Sequence, residues 1–282
     1  MPLVSILEPI RKAQAGKYCL PMFLVADLAS AEGVFKALEE KRSPAMIGIY
    51  SGWLDNPNVA ALVAVVRTLA AKATVPASLV LDHGRTLEHC WKALALGFTD
   101  IMYDGSKLPF DENIANVKLA VRAARTVGAG VEAELGLVGE GSQYDTVGGA
   151  GMGFTDPAAA ERFCEETGCD ILAVAIGNAH GFYKGDPKID IPRLREIRGR
   201  TKACLSLHGG TGLSDKQFRA AIAEGIAKVN IFTDLAHTAG LKIQELAKAG
   251  KNGYFDALAG IREGFREKCA RYCDVFGSTG KA

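Results

Sequence analysis

Net charge is almost absent from this chain: 33 Lys and Arg stand against 32 Asp and Glu, leaving +1 over 282 residues. No Lys/Arg cluster stands out either, so the electrostatic footprint of a polyanion partner is missing and no nucleic-acid binding is expected. Long apolar runs are lacking too. The longest, Val59 to Leu81, is interrupted by Arg67 and Lys72, which excludes a membrane-spanning helix there. Met1 to Lys17 has no apolar core ahead of a small-residue cleavage site, so no export signal is expected. The seven cysteines (Cys19, Cys90, Cys164, Cys169, Cys204, Cys269 and Cys273) are odd in number, scattered, and without a Cys-x-x-Cys pair. That pattern argues against a disulfide framework and a cysteine zinc site, and it fits a reducing, cytoplasmic setting.

What the chain does have is apolar content, 48%, enough for a large core. Short apolar, β-branched runs recur at 19–25, 44–50, 77–82, 99–103, 129–134, 170–176, 203–207 and 226–231. Segments of helical period lie between them, such as Ala29 to Glu40 and Asn113 to Thr126, the latter with Ile114, Val117, Leu119, Ala120 and Val121. Thr86 and Asp215 read as helix starts, and Gly97, Gly128 and Gly225 as stops. Strands alternating with helices imply parallel βα units, and eight units imply a closed barrel rather than an open sheet. The expected fold is therefore α/β, a single (β/α)8 TIM barrel over residues 1–282, with no composition break marking a second domain.

Catalytic residues of such barrels sit at the C-terminal strand ends. Those ends carry Ser51, Asp82 with His83, Asp104, Glu132 and Glu134, Asn178 and His180, His208, and Asn230 with Thr233. A lone histidine at a strand end is usually a hydrogen-bonded structural residue. Three at equivalent positions of separate βα units, His83, His180 and His208, point instead to a metal. Three neutral imidazoles with an open fourth position make a catalytic zinc arrangement. His89 and His237 lie in helical segments and read as ordinary helix residues.

The loops after the seventh and eighth strands read His208-Gly209-Gly210-Thr211-Gly212 and Asn230-Ile231-Phe232-Thr233-Asp234. Barrels frequently bind phosphate there, through backbone N–H groups and a helix N-terminus. Glycines let the backbone approach an anion, hydroxyls add donors, and Lys184 offers a positive charge, so a phosphorylated substrate is expected. A second glycine-rich stretch, Leu137 to Phe154, lacks the strand–helix context of a nucleotide fingerprint. It reads as a lid over the catalytic face, or as a plain surface loop.

Taken in order, Leu81-Asp82-His83-Gly84, Tyr103-Asp104-Gly105-Ser106, Val131-Glu132-Ala133-Glu134-Leu135-Gly136, His180-Gly181-x-Tyr183-Lys184-Gly185, Leu207-His208-Gly209-Gly210-Thr211-Gly212 and Asn230-Ile231-x-Thr233 form a specific set. Over essentially its full length the chain resembles the class II, zinc-dependent fructose-bisphosphate and tagatose-bisphosphate aldolase family. The resemblance implies that His83, His180 and His208 hold a catalytic Zn2+, with Glu134 and Asp104 able to serve an alternative or second ion. It implies that Asp82 is the acid/base of carbon–carbon bond cleavage. It implies that Gly181, Lys184, Gly209, Gly210, Thr211, Asn230, Ile231, Phe232 and Thr233 line the dihydroxyacetone phosphate site, with a monovalent cation (Na+ or K+) nearby. Zinc would act as a Lewis acid on the enediolate that cleavage leaves behind, and Asp82, next to a ligand, is placed for the proton. A homo-oligomer, dimer or tetramer, is implied by the resemblance alone. The segment Phe255 to Tyr272 can either support such an assembly or cover its own barrel.

The departures fall on one side. Leu24 stands where the family has an asparagine, Ser142 where it has a lid glutamate, and Asn178 where a threonine is usual; Phe232 adds a ring beside the phosphate region. Glu140 is a candidate to replace the missing glutamate. The expectation is a ketose 1-phosphate or 1,6-bisphosphate aldolase with a non-standard aldehyde half. The alternatives are a metal-dependent sugar-phosphate isomerase or epimerase, a catalytically reduced sugar-phosphate-binding protein, and a Schiff-base aldolase using Lys228.

Overall fold

A computed structural model describes residues 3–143 and 153–282. Eight parallel strands close into a barrel: β1 (Leu20–Leu24), β2 (Ala45–Tyr50), β3 (Ala77–Gly84), β4 (Asp100–Tyr103), β5 (Gly130–Leu135), β6 (Ile171–Val174), β7 (Cys204–Leu207) and β8 (Ile226–Ile231). Each pairs with its sequence neighbours, and β8 returns to β1 through pairs such as Met22 with Asn230. Helix α1 (Leu7–Ala15) precedes the barrel. The helices that follow the strands in turn are α2 (Leu28–Lys41), α3 (Val59–Lys72), α4 (Leu87–Ala95), α5 (Phe110–Arg125), α6 (Pro157–Thr167), α7 (Ile191–Arg200), α8 (Asp215–Ala223) and α9 (Thr233–Lys248). A last helix, α10 (Tyr254–Val275), ends the chain. The protein is a (β/α)8 barrel; six strands fall within the runs expected from the sequence, while β3 runs on to Gly84 and β5 to Leu135, past the expected ends at 82 and 134.

The strands read as apolar runs because both of their faces are covered. Outward residues such as Phe23, Ile47, Leu79, Val131, Leu172 and Val229 pack into the sheet–helix core. Inward Leu20, Met22, Met46, Val80 and Ile171 meet Ile6, Ile10 and Ala13, so α1 plugs the lower end of the barrel. The helix starts are chemically marked. Thr86 accepts from His89 N ahead of α4, and Ser214, one residue before the expected Asp215, accepts from Gln217 N ahead of α8.

The floor also contains a charge. The buried Asp100 carboxylate accepts from Ile6 N, Gly130 N and the Ser5 and Thr99 hydroxyls, tying α1 to β4 and β5. Burial outweighs these donors and pushes its pKa up to about 6. A carboxyl raised on folding contributes stability that is fully present below its unfolded pKa and is lost as the pH rises through about 6. From this group the fold should be about 1 kcal/mol less stable at pH 7 than at pH 5. Urea unfolding of wild type and Asp100→Asn at both pH values checks this: the variant should lose that increment, and an unchanged difference would refute the assignment.

Helix α10 lies along α2 and α9, covering its own barrel. Close approach depends on glycine: a Cβ on Gly33 would stand 2.4 Å from Arg262 O, and one on Gly264 2.5 Å from Ala239 Cα. Ion pairs Arg262–Glu32 (2.7 Å) and Arg266–Glu40 (2.8 Å) flank the seam.

Candidate active site

The C-terminal strand ends open into a cavity of about 340 Å³. The strand pleat decides what enters it. In Val131-Glu132-Ala133-Glu134, the apolar residues face the helices and both carboxylates face the barrel interior. On β8 the same alternation turns Lys228 and Asn230 inward and Val229 and Ile231 outward.

His83, His180 and His208 meet, with ring centroids 4.7–6.0 Å apart. Their donor atoms lie within 4.8 Å of one another, and so do those of a second group, His83, Asp104 and Glu134. His83 has φ 50°, a left-handed backbone conformation rare outside glycine. Strain of this kind persists where the surroundings impose it, and it clusters at functional sites. The His83 Nδ1 stands 2.8 Å from Asp104 Oδ2, and the His208 Nε2 2.8 Å from Glu132 Oε1. Carboxylates only accept, so these nitrogens carry the ring hydrogens and the other nitrogen of each ring turns to its neighbour. His83 Nε2 and His208 Nδ1 consequently face each other at 3.0 Å. Two lone pairs at that distance repel unless a proton or a cation sits between them.

The electrostatics place two neutral rings beside one protonated ring. Burial, then the neighbouring His83 and His208, drops His180 to about 3; burial and the Lys228 ammonium drop His208 to about 4. Both are neutral imidazoles at neutral pH, the form that binds metal. Burial works against protonating His83, but Asp82, Asp104 and Glu134 overcome it and raise the ring to about 9. Burial, reinforced by the Asp104 charge, lifts Glu134 to about 8. The His180 Nε2 and Glu134 Oε2 atoms are buried without a hydrogen-bond partner among the described residues. A donor set of three imidazoles plus two carboxylates, with orphaned buried atoms aimed among them, fits a borderline-soft divalent ion.

Asp82 lines the same cavity, and its Oδ1 accepts from Asn230 Nδ2 at 2.8 Å. Gly181, Gly209, Gly210, Thr211, Asn230, Phe232 and Thr233 also line it, and Thr233 opens the 16-residue helix α9. Gly209 has φ 64°, and a Cβ there would stand 2.1 Å from Ala179 O, so only glycine serves. Two of the expected phosphate residues do not reach the cavity. Ile231 is packed in the sheet–helix core, because its pleat position faces the helices, leaving only its backbone to the site. The Lys184 side chain is exposed outside the cavity wall, while its backbone N–H donates to Gly141 O at 3.2 Å.

The structure gives further residues their roles. The Tyr183 hydroxyl accepts from Ala179 N and donates to Gly209 O, both at 2.8 Å, locking two site loops together. Asn178 accepts from Ile176 N and donates to His208 O, which makes it a brace rather than a ligand. Tyr50, Trp53 and Phe232 form an edge-to-face chain beside Leu24, and Arg85 and Lys107 stand at the rim. Arg85 donates to the Tyr50 hydroxyl at 3.1 Å. Leu24 and Phe232 of this wall stood out in the sequence; Tyr50, Trp53, Arg85 and Lys107 did not.

The glycine-rich stretch is partly placed. Gly139–Glu140 pairs with Ala179–His180 as a two-residue ladder, which brings Glu140 to the cavity wall. Ser142 follows in a short turn and is exposed. The rest of the expected lid, 144–152, lies outside the described residues.

A (β/α)8 barrel with three convergent imidazoles, a buried acid beside them and glycine-rich loops at the same mouth has the make-up of an enzyme active site. The sequence profile described as fructose-bisphosphate aldolase class-II matches residues 4–281, and the chain belongs to that family. It is 36% identical to a probable fructose-bisphosphate aldolase of Bacillus subtilis, over all of both chains. It is also 36% identical to a fructose-bisphosphate aldolase of Geobacillus stearothermophilus, over all of this chain and 99% of that one. The crystal structure of the YdjI aldolase of Escherichia coli K12 superposes with a TM-score of 0.89 at 34% identity, over 99% of each chain. The protein is an aldolase, and no helix among the described residues is long and apolar enough to cross a membrane.

Proposed function

We propose that this enzyme is a zinc-dependent aldolase that cleaves a ketose 1-phosphate or 1,6-bisphosphate into dihydroxyacetone phosphate and an aldehyde. The observation that carries the reading is the approach of His83 Nε2 and His208 Nδ1, 3.0 Å apart, in a cavity that runs on to the Gly209–Thr211 backbone. His83, His180 and His208 would hold the zinc, with Asp104 and Glu134 available to a second position. When bound, the ion supplies Lewis acidity for the negative charge that develops at the ketone. Gly181, Gly209, Gly210, Thr211 and Thr233 bind the phosphate end through backbone N–H groups, hydroxyls and the start of α9, where a Na+ or K+ ion can share the anion. Asp82, held by Asn230, moves the proton at the hydroxyl oxygen of the aldehyde half.

The opposite wall of Leu24, Tyr50, Trp53 and Phe232 is apolar and aromatic, with Arg85 and Lys107 at its edge. That wall supports a non-standard aldehyde half. Lys228 does not support a Schiff-base route. It is fully buried, its donors are taken, and it lies outside the cavity wall. Seven buried free thiols accord with a reducing, cytoplasmic setting.

A coupled assay for dihydroxyacetone phosphate, run against a panel of ketose phosphates, tests the reading. Release of dihydroxyacetone phosphate from at least one of them is expected. An isomerised ketose without cleavage, or no turnover with any member, would overturn it in favour of an isomerase or a binding protein.

A further inference from the structure

Lys228 is a lysine with no exposed surface, set deep in a barrel that needs no cation to close. Its ammonium has three hydrogens and three kinds of acceptor around it. Nζ lies 3.0 Å from Glu132 Oε1 and 2.8 Å from Glu132 Oε2, 3.3 Å from Ser206 Oγ, and in a short hydrogen bond to Asn230 Oδ1. An ammonium only donates, so the Asn230 amide must turn its oxygen toward Lys228. Its Nδ2 is thereby left to face Asp82 Oδ1 at 2.8 Å, with His208 Nδ1 at 3.4 Å. On the other side Glu132 takes the His208 Nε2 hydrogen at 2.8 Å, which directs Nδ1 into the cavity. Two arms therefore leave one buried charge. One runs through Glu132 to an imidazole of the metal group, and the other through Asn230 to the cavity acid.

We propose that Lys228 is a positioning residue for both halves of the chemistry: through Glu132 it orients His208 toward the metal, and through Asn230 it orients Asp82 toward the substrate. This rests on the metal-dependent aldolase reading above. The physical reason for a cation is that Glu132 must stay ionised to act as a pure acceptor, and a buried carboxylate without a partner is costly. A lysine suits the place because its ammonium is a compact donor-only group whose three hydrogens can serve a carboxylate, a hydroxyl and an amide oxygen at once. Carboxylates behind metal-ligating histidines fix the ring and tautomer, and losing one commonly lowers metal affinity about 10- to 100-fold.

Two variants separate the arms. Lys228→Met alone leaves Glu132 without its partner. Co2+ titration of the metal-free protein, followed by visible absorption, should show affinity about 10- to 100-fold weaker with an altered spectrum. Its kcat, measured with saturating metal, should fall while KM for the ketose phosphate stays near the wild-type value. Lys228→Met combined with Glu132→Gln removes both charges together and keeps an acceptor for His208, so folding by circular dichroism should be retained. In that protein Co2+ affinity should return toward wild type while kcat stays low, because nothing holds the Asn230 amide. Wild-type Co2+ affinity and spectrum in a folded Lys228→Met protein would overturn the proposal. Wild-type kcat in the double variant would overturn it as well, and that protein decides the matter if the single variant does not fold. Wild-type protein that cleaves no ketose phosphate would refute the aldolase reading instead, leaving the Co2+ comparison to judge the His208 arm.

Discussion

Removing divalent metal with a chelator should abolish ketose-phosphate cleavage, and added Zn2+ should restore it, while borohydride with substrate should leave the enzyme active. The expected loss is at least about a thousandfold, since Lewis-acid stabilisation of the developing charge is worth several kcal/mol and each ~1.4 kcal/mol is a factor of ten. The geometry leaves little to replace the ion. His83 Nε2 and His208 Nδ1 stand 3.0 Å apart with their other nitrogens committed to Asp104 and Glu132, so no neutral arrangement satisfies both. His208→Ala should lose stoichiometric zinc, read by metal analysis after dialysis. Full activity in protein shown to be metal-free would sink the proposal.

Replacing Asp82 by asparagine (Asp82→Asn) should leave zinc bound and remove turnover, by about 10²- to 10⁴-fold, the usual contribution of a positioned acid/base. The amide oxygen of the substituted side chain can still accept from Asn230 Nδ2, so the loss would reflect proton transfer and not a collapsed site. Dihydroxyacetone phosphate should still bind, which saturation-transfer NMR or calorimetry reads directly. The opposite result, a metal-free protein or near-normal kcat, would reassign the residue. Together the two experiments separate the electrostatic part of the mechanism from the proton-transfer part, because each variant spares the other's apparatus.

Much of this arrangement was legible in the order of residues. Parallel strands covered on both faces must be apolar along their length, and the run 226–231 became a strand over the same residues. His83, His180 and His208 could be grouped because the ends of parallel strands converge at one mouth. The direction of the Ile231 side chain was legible as well. With Asn230 inward, its neighbour has to face the helices, and the pleat alone turns it into the core. Lys184 could not have been placed in that way, since its position depends on the path of the loop that Tyr183 anchors.

The sequence by itself determined the barrel, through short-range periodicity repeated in every βα unit, and with it the meeting of His83, His180, His208 and the two glycine-rich loops at one mouth. Tertiary structure alone decided the partners within them. Glu132 meets His208 across 76 residues of chain, and Asn230 meets Asp82 across 148. Those pairings depend on strand stagger around a closed barrel, a property of the whole ring that no local spacing encodes. The same closure turned Lys228 from a possible nucleophile into a fully paired internal charge, and it set Tyr50, Trp53 and Phe232 in one wall.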